Sequence, residues 1–269
     1  MLTIMQYAAR KAGNLLMQYF HKNVVTSYKS SSHQNLVTEV DELSQRIIYE
    51  TISHSLKLHG IKDDQIGFIG EEEQLRKQGK HLFVIDPIDG TTNYLSGIDY
   101  FGISIAYFLD RNLQIGVIND PVRDTLYYAE KGKGTYKVGG NKHTKLSVKY
   151  LNFKKSLIVT HLSNKYKNLR KDITEFTLKI FPLVKGVREL NCTVLDYCHV
   201  ADNVFQSVIY PSDSIWDFSA AKLIVEEADG VFTDWKGKEI VFDFDDLEKR
   251  YKLIACHKSN LKNYLQYLK

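Results

Sequence analysis

The chain has 269 residues, of which 43% are hydrophobic and 25% charged, and its formal net charge at pH 7 is +4. These proportions are typical of one large globular domain or two closely packed ones, and they exclude disordered and fibrous classes. The positive charge is spread without a sustained basic tract, so we expect no nucleic-acid partner and no binding to a membrane surface.

The first predicted element is an amphipathic helix near the N-terminus. Apolar residues recur at helical spacing from Leu2 to Phe20, and Arg10, Lys11 and Asn14 interrupt any signal-peptide core. No stretch of the sequence has the length and apolarity of a membrane span. The three cysteines are odd in number and lack metal-ligand spacing, which is typical of a reducing environment. We therefore expect a cytoplasmic protein.

Two acidic segments come next along the chain. Residues 37–53 predict a helix with Asp41 in its early part. A short apolar run then ends at Gly70 and is followed by Glu71 and Glu72. Neighbouring side chains of an extended segment point in opposite directions, so we expect one of the two glutamates to bind a ligand and the other to support it. The alternative is a solvated charge run.

The most informative segment is residues 83–94, with the sequence FVIDPIDGTTNY. The apolar run before Asp86 predicts a buried strand, which delivers Asp86 and Asp89 to the point where the strand ends. Gly90 and Thr91 follow directly and can open a helix. Carboxylates beside backbone N–H groups provide ligands for a hard cation next to a site for an anion. The same residues are also good turn formers, so a structural role stays open.

The rest of the chain predicts two kinds of sheet. Runs at 102–108, 113–118, 125–129 and 134–137 predict an antiparallel meander that continues from the strand of Asp86. Beyond the polar stretch at 139–141, strands alternate with helices, including helices over 193–201 and 217–228. Asp217 begins the second of these helices, where an N-cap aspartate is common. The mixture predicts an α+β protein built of helix and sheet layers.

Three motifs, in this order and at these separations, resemble the inositol monophosphatase family: Gly70-Glu71-Glu72, Asp86-Pro87-Ile88-Asp89-Gly90-Thr91-Thr92-Asn93 and Trp216-Asp217. The segment from Leu36 to Asp41 resembles an early motif of the same family, and the likeness covers nearly the whole chain. It implies a layered α-β-α-β-α sandwich of the sugar phosphatase type, with mixed and antiparallel sheets. An N-terminal half, residues 1–142, would carry Glu71 and the Asp86–Thr92 motif, a C-terminal half, residues 143–269, would carry Asp217, and the active site would lie between them.

The resemblance also implies a function. The family comprises lithium-sensitive, magnesium-dependent phosphatases, and its relatives include fructose-bisphosphatases and nucleotide 3′-phosphatases. The chain would hydrolyse a small phosphorylated metabolite, inositol 1-phosphate in the first instance. Two or three Mg²⁺ ions would be bound by the carboxylates of Glu71, Asp86, Asp89 and Asp217 and by the carbonyl of Ile88.

Catalytic roles follow from the same resemblance. Thr91 and Asp41 would orient and deprotonate the attacking water, and Glu71 with its metal would lower the pKa of that water. The backbone N–H groups of Gly90 and Thr91 would bind the phosphate, and Glu72 would orient a ligand. Water would attack in line, without a covalent phosphoenzyme.

The substrate side departs from the family pattern. Asn191-Cys192-Thr193-Val194 replaces a Gly-Ser-Ala-Ala-like stretch, and Tyr210 stands where many inositol phosphatases have a glutamate. Arg188 is retained, whereas Asn35 replaces a common aspartate, with Lys29 upstream of it. The implied substrate-binding residues are Gly90, Thr91, Asp89, Arg188, Tyr210 and Asp217. A nucleotide such as NADP or adenosine 3′,5′-bisphosphate, or fructose 1,6-bisphosphate, is therefore an alternative substrate, and a core role for Tyr210 stays open.

Two other functions compete with this one. A haloacid-dehalogenase-type phosphatase needs an Asp-x-Asp nucleophile motif, which the two-residue spacing and Pro87 disfavour. A regulatory or binding protein could keep the phosphatase fold, as some bacterial relatives with a role in transcription do. Family members often dimerise, so we expect a homodimer.

Overall fold

A computed structural model describes residues 1–20, 26–28, 36–72, 76–162 and 167–268, which form two large sheets with helices between and outside them. In these ranges the helices are α1 (Leu2–Tyr19), α2 (Glu39–Leu58), α3 (Thr91–Leu95), α4 (Lys167–Ile180), α5 (Thr193–Ala201), α6 (Ile215–Glu226) and α7 (Lys258–Leu265). The strands are β1 (Thr26–Tyr28), β2 (Leu36–Thr38), β3 (Ile66–Gly70), β4 (Arg76–Lys77), β5 (His81–Asp89), β6 (Gly102–Leu109), β7 (Asn112–Asp120), β8 (Thr125–Glu130), β9 (Gly134–Gly139), β10 (Lys142–Leu146), β11 (Leu157–Thr160), β12 (Gly186–Arg188), β13 (Ser207–Asp213), β14 (Val231–Asp234) and β15 (Tyr251–Cys256).

The first sheet contains the predicted meander. Its strand order is β10-β9-β8-β7-β6-β5-β3-β4, and the strands pair antiparallel except for β3 with β5. The interior strand β5 is buried on both faces: Leu82 and Val84 face one hydrophobic core, and Phe83 and Ile85 face another. Because successive side chains of a strand point to opposite faces, neighbouring residues of β5 pack into different cores.

The second sheet is mixed. Its order is β12-β11-β13-β15-β14, in which β12, β11 and β13 are parallel and β15 is antiparallel to both of its neighbours. The carboxyl ends of the three parallel strands therefore lie at one edge, and the loop after β13 leads from that edge into α6. A small antiparallel pair, β1 with β2, stands apart from the two large sheets.

Among the described residues, three hydrophobic cores and two sheets stack as five layers. One core packs α1 and α2 on the outer face of the first sheet, a second contains α5 and α6 between the two sheets, and a third packs α4 and α7 on the outer face of the second sheet. This is the α-β-α-β-α order, with one antiparallel-rich and one mixed sheet, so the predicted fold class is confirmed.

Several element boundaries in the structure differ from those predicted from the sequence. The second helix begins at Glu39 and runs to Leu58, past the predicted end at residue 53, because Leu56 is buried against the outer core. The strand Lys142–Leu146 still belongs to the first sheet, so the division after residue 142 falls inside a strand, and the division into halves stays a prediction. Within the described ranges, no helix combines the length and apolarity needed to cross a membrane.

Candidate active site

A β-bulge brings Asp86 and Asp89 to the same side of strand β5. Asp86 pairs with Ser104 on β6 and Asp89 pairs with Gly102, so three steps along β5 match two steps along β6. In a regular strand, residues three apart would face opposite sides, and the extra residue of the bulge cancels this alternation. Pro87 lies within the irregular stretch, where its missing N–H breaks no ladder hydrogen bond.

Five carboxylates converge where β5 ends. Burial raises the pKa of Asp86 well above its ordinary value, and nearby negative charges raise it further, those of Glu71, Asp89, Asp217 and Asp41. Burial and the charge of Asp217 likewise raise the pKa of Asp89. Such mutual effects require short distances between like charges. The fold therefore brings together the four carboxylates predicted to bind metal and the predicted base, Asp41.

The carboxylates of Asp86 and Asp89 each accept a backbone hydrogen bond. Asp86 Oδ1 accepts one from the Ile88 N–H at 3.1 Å, and Asp89 Oδ2 accepts one from the Val194 N–H at 2.6 Å. Among the described residues, no three carboxylate, imidazole or thiol groups stand close enough as arranged to hold a metal ion. The acids thus share a site, and their oxygens are turned in part toward the backbone.

Asp217 reaches the site from the start of α6. The alternative interpretation of Asp217 as the helix N-cap is wrong: Ser214 occupies that position, and Asp217 is the third helical residue, whose Oδ2 accepts a 2.6 Å hydrogen bond from the Ser214 N–H. The neighbouring Asp213 is buried at the end of β13, and its Oδ2 accepts a 2.7 Å hydrogen bond from the Tyr197 hydroxyl.

The segment after Asp89 begins a short helix. Gly90 is its N-cap and has a φ of 86°, in the left-handed region that glycine adopts without strain. Thr91 is therefore the first helical residue and not the cap, and its hydroxyl donates a 2.9 Å hydrogen bond to the Ile88 carbonyl. This contact fixes the threonine hydroxyl beside the converging acids.

The donor set fits a hard divalent cation. The carboxylates and the Ile88 carbonyl are oxygen donors of the kind that Mg²⁺ prefers. Asp86 is buried and Asp89 half-buried beside like charges, an arrangement that a cation would relieve. Since an ionised carboxylate has about four lone-pair sites, a backbone hydrogen bond leaves room for a metal.

The predicted substrate residues occupy different environments. Tyr210 is buried in β13, and its hydroxyl donates a short hydrogen bond to Asp196. Arg188 is exposed on the edge strand β12 and donates to the carbonyl of Val187 at 2.9 Å. Asn35 and Lys29 lie outside the described residues.

Sequence reasoning missed Asp196. This residue is fully buried in α5, and its two oxygens accept hydrogen bonds from the hydroxyls of Tyr100 and Tyr210. Burial raises the pKa of Asp196 to about 7, while the two hydroxyl donors lower it. The available sequence signal was an acidic residue inside the mostly apolar helix 193–201.

Asn93 also joins distant segments, because its Nδ2 donates to the carbonyls of Tyr100 and Leu190 at 2.8 and 2.7 Å.

Comparisons with known proteins agree with this architecture. The family model described as "Inositol monophosphatase family" matches residues 1–269. The Nus factor SuhB of Escherichia coli K12 is 29% identical over 246 residues, covering 88% of this chain and 86% of the relative. Nus factor SuhB of Pseudomonas aeruginosa PAO1 is 30% identical over 244 residues, with the same coverage of each.

Solved structures give the same result. The extragenic suppressor protein suhB of Bartonella henselae superposes with a TM-score of 0.85 at 27% identity, covering 100% of this chain and 98% of that one. The IMPase of Thermotoga maritima superposes with a TM-score of 0.81 at 25% identity, covering 99% and 94%. The resemblance inferred from the three motifs is confirmed: the chain belongs to the inositol monophosphatase family.

Proposed function

We propose that this member of the inositol monophosphatase family is a Mg²⁺-dependent hydrolase of small phosphate monoesters, with inositol 1-phosphate as the first candidate substrate. The observation that carries the proposal is the convergence of Glu71, Asp86, Asp89, Asp217 and Asp41 beside the Gly90-Thr91 turn. A doubly negative phosphate ester would be repelled by these acids alone, so a cation is part of the proposal.

Two or three Mg²⁺ ions would be held by Glu71, Asp86, the Ile88 carbonyl, Asp89 and Asp217. When bound, Mg²⁺ supplies positive charge against the phosphoryl and leaving oxygens and makes water more acidic.

The chain's own groups orient the reactants. The Thr91 hydroxyl and Asp41 hold the attacking water and take its proton, and the backbone N–H groups of Gly90 and Thr91 hold the phosphate oxygens in line for attack. Glu72 is buried next to Glu71 and supports its orientation. The hydrogen bond from Thr91 to the Ile88 carbonyl supports a fixed position for the hydroxyl.

The substrate is the finer part of the proposal. Arg188 would contact the substrate from the edge of the second sheet, and Tyr210 would form a wall behind the leaving group. Since Tyr210 is buried and its hydroxyl is bonded to Asp196, its effect on the substrate would pass through the residues packed around it. Adenosine 3′,5′-bisphosphate, NADP and fructose 1,6-bisphosphate are the alternatives.

Phosphate release from a panel of these esters tests the function. We expect turnover with Mg²⁺, loss of turnover with a chelator and inhibition by Li⁺. A covalent aspartyl-phosphate trapped by rapid quench would contradict direct attack by water, and the absence of turnover on every ester would contradict the proposed activity.

Oligomeric state and location belong to the same proposal. We propose a homodimer, which light scattering on purified protein tests, a monomer being the contrary result. Cys192, Cys198 and Cys256 are all unpaired and buried, which supports a reducing, cytoplasmic location.

A regulatory role is the second candidate, because curated relatives at 29–30% identity are named Nus factor SuhB. A chain that acts only through partner contacts would keep its cellular role when Asp86 is replaced by Asn. A chain that acts by catalysis would lose that role, so complementation by the Asp86→Asn variant separates the two.

A further inference from the structure

Gln45 on helix α2 contacts both backbone polar groups of Glu72. Its Oε1 accepts a hydrogen bond from the Glu72 N–H at 3.2 Å, and its Nε2 donates to the Glu72 carbonyl at 3.4 Å. The Gln45 side chain is 6% exposed. A buried side-chain amide that satisfies both backbone polar groups of one residue fixes the position of that backbone.

The space around Gln45 is shaped for this contact. A Cβ atom added to Gly70 would lie 1.9 Å from Gln45 Oε1, so glycine at position 70 lets the carboxamide approach the end of β3. On the other side, the Glu71 N–H donates to the Ile85 carbonyl at 3.2 Å. The backbone of Glu71 is therefore tied to β5 at its own amide and to α2 through the next residue.

Helix α2 carries two further groups of the site on the same face. Asp41 lies one helical turn before Gln45 and is 2% exposed. Ser44 donates a 2.9 Å hydrogen bond to the Pro87 carbonyl, inside the bulge between Asp86 and Asp89. Residues three and four apart on a helix share a face. One turn of α2 thus contacts both acidic segments and supplies Asp41.

We propose that Gln45 is a positioning residue that holds the backbone at Glu71 and Glu72 so that the Glu71 carboxylate can bind a divalent cation. The inference rests on the proposed function, because it assigns Gln45 a role at the proposed cation site. Gln45 itself touches no reacting group. A Gln45 variant should lose turnover because it binds the cation more weakly. Saturating Mg²⁺ should therefore restore kcat, and the KM for the ester should stay unchanged.

The test compares Gln45 with a matched glutamine far from the site. Gln206 also bonds two backbone groups: its Oε1 accepts from the Leu157 N–H at 2.8 Å and its Nε2 donates to the Asn203 carbonyl at 3.4 Å. Replacing either glutamine by methionine keeps side-chain length and removes both hydrogen bonds. Gln45→Asn, which keeps the amide but shortens the side chain by one methylene, is the second variant should Gln45→Met fail to fold.

Mg²⁺ affinity is measured by titration calorimetry on metal-free protein, and folding is checked by thermal unfolding in chelator. We expect Gln45→Met and Gln45→Asn to weaken Mg²⁺ binding roughly 10- to 100-fold, the usual effect of losing a group that orients a metal ligand. Gln206→Met should bind Mg²⁺ like the wild type. The concentration of Mg²⁺ that half-saturates turnover should rise by the same factor as the dissociation constant.

Two results would overturn the role of Gln45 while leaving the proposed function in place: folded Gln45 variants with wild-type Mg²⁺ affinity, or equal weakening in Gln206→Met. A wild-type protein that neither binds Mg²⁺ nor hydrolyses any ester would overturn the proposed function, and the role of Gln45 with it.

Discussion

The Asp89 carboxylate accepts a 2.6 Å hydrogen bond from the backbone N–H of Val194, 105 residues further along the chain. Asp89 ends strand β5 of the first sheet, and Val194 lies in the first turn of α5, between the two sheets. A Cβ atom on Gly102, opposite Asp89 on β6, would lie 3.1 Å from the Val194 side chain, so a small residue there lets the helix approach. The position of Asp89 therefore depends on the packing of both sheets.

We expect the negative charge of Asp86 to be required for activity and to destabilise the metal-free protein. Asparagine keeps an oxygen that can accept the Ile88 N–H, while it removes a buried charge beside other acids. We expect Asp86→Asn to lower turnover more than roughly 100-fold, since even groups that only orient metal ligands contribute 10- to 100-fold. In chelator near neutral pH, the variant should unfold at a higher temperature than the wild type.

Thermal unfolding with and without Mg²⁺ checks both parts. Mg²⁺ should raise the Tm of the wild type and leave the Tm of Asp86→Asn nearly unchanged, because a ligand stabilises only the state that binds it. A variant with wild-type turnover would refute the metal assignment.

Thr91 offers a test of the catalytic step. Thr91→Val removes the hydroxyl that donates to the Ile88 carbonyl, whereas Thr91→Ser keeps it. We expect Thr91→Val to lower kcat by roughly 100-fold or more, the usual contribution of a positioned proton-transfer group. Thr91→Ser should keep most of the activity, and calorimetric Mg²⁺ affinity should change little in either variant. Equal activity of the two variants would reduce Thr91 to a structural role.

The turn from Asp86 to Gly90 could be predicted from the sequence because the residues that shape it are neighbours in the chain. The apolar run before Asp86, the proline at 87 and the glycine at 90 each restrict the backbone within a few residues. Strand β13 shows that such local restrictions are not always sufficient to predict where an element ends. The sequence predicts a strand over residues 205–210, whereas β13 continues to Asp213 across a register shift between Tyr210 and Asp213, where Pro211 lies.

The environment of Tyr210 could not be predicted, because its partners are distant in sequence. Asp196 is 14 residues from Tyr210 and 96 from Tyr100, and only the packing of α5 between the sheets brings the three side chains together. The two-point contact of Gln45 with Glu72 likewise spans 27 residues. Polar residues in an amphipathic helix are ordinarily expected to face solvent, and a single sequence does not distinguish those that face a loop.

Tyr210→Phe tests whether the Tyr210 hydroxyl serves the substrate or the fold. Removing it leaves the buried Asp196 carboxylate with one tyrosine donor fewer, so we expect a loss of about 1.5–3 kcal/mol in the free energy of unfolding. Because the hydroxyl points to Asp196, KM for the preferred ester should stay within about twofold of wild type. Tyr100→Phe is the matched control, since it removes the other donor to Asp196. A large rise in KM in Tyr210→Phe alone would assign the hydroxyl to substrate binding.

His199 should make the protein sensitive to acid. Its ring lies 5.6 Å from the Phe205 ring and 6.0 Å from the Tyr100 ring, and its Nδ1 is buried without a hydrogen-bond partner in the structure as described. Burial, reinforced by the positive charges of Lys137 and Arg123, lowers the pKa of His199 to about 4, while Asp202 raises it.

The sign of the effect follows from where protons bind. Between pH 6.5 and 4 the unfolded chain protonates this histidine and the folded chain does not. The free energy of unfolding therefore decreases as the pH is lowered, by at most about 3 kcal/mol from His199. Asp196, whose pKa burial raises to about 7, has the opposite slope, so variant and wild type must be compared at each pH. We expect the advantage of His199→Phe over wild type in urea unfolding to grow from pH 7.5 to pH 5. His54→Phe, on the exposed face of α2, should show no such growth, and a pH-independent difference in His199→Phe would contradict the lowered pKa.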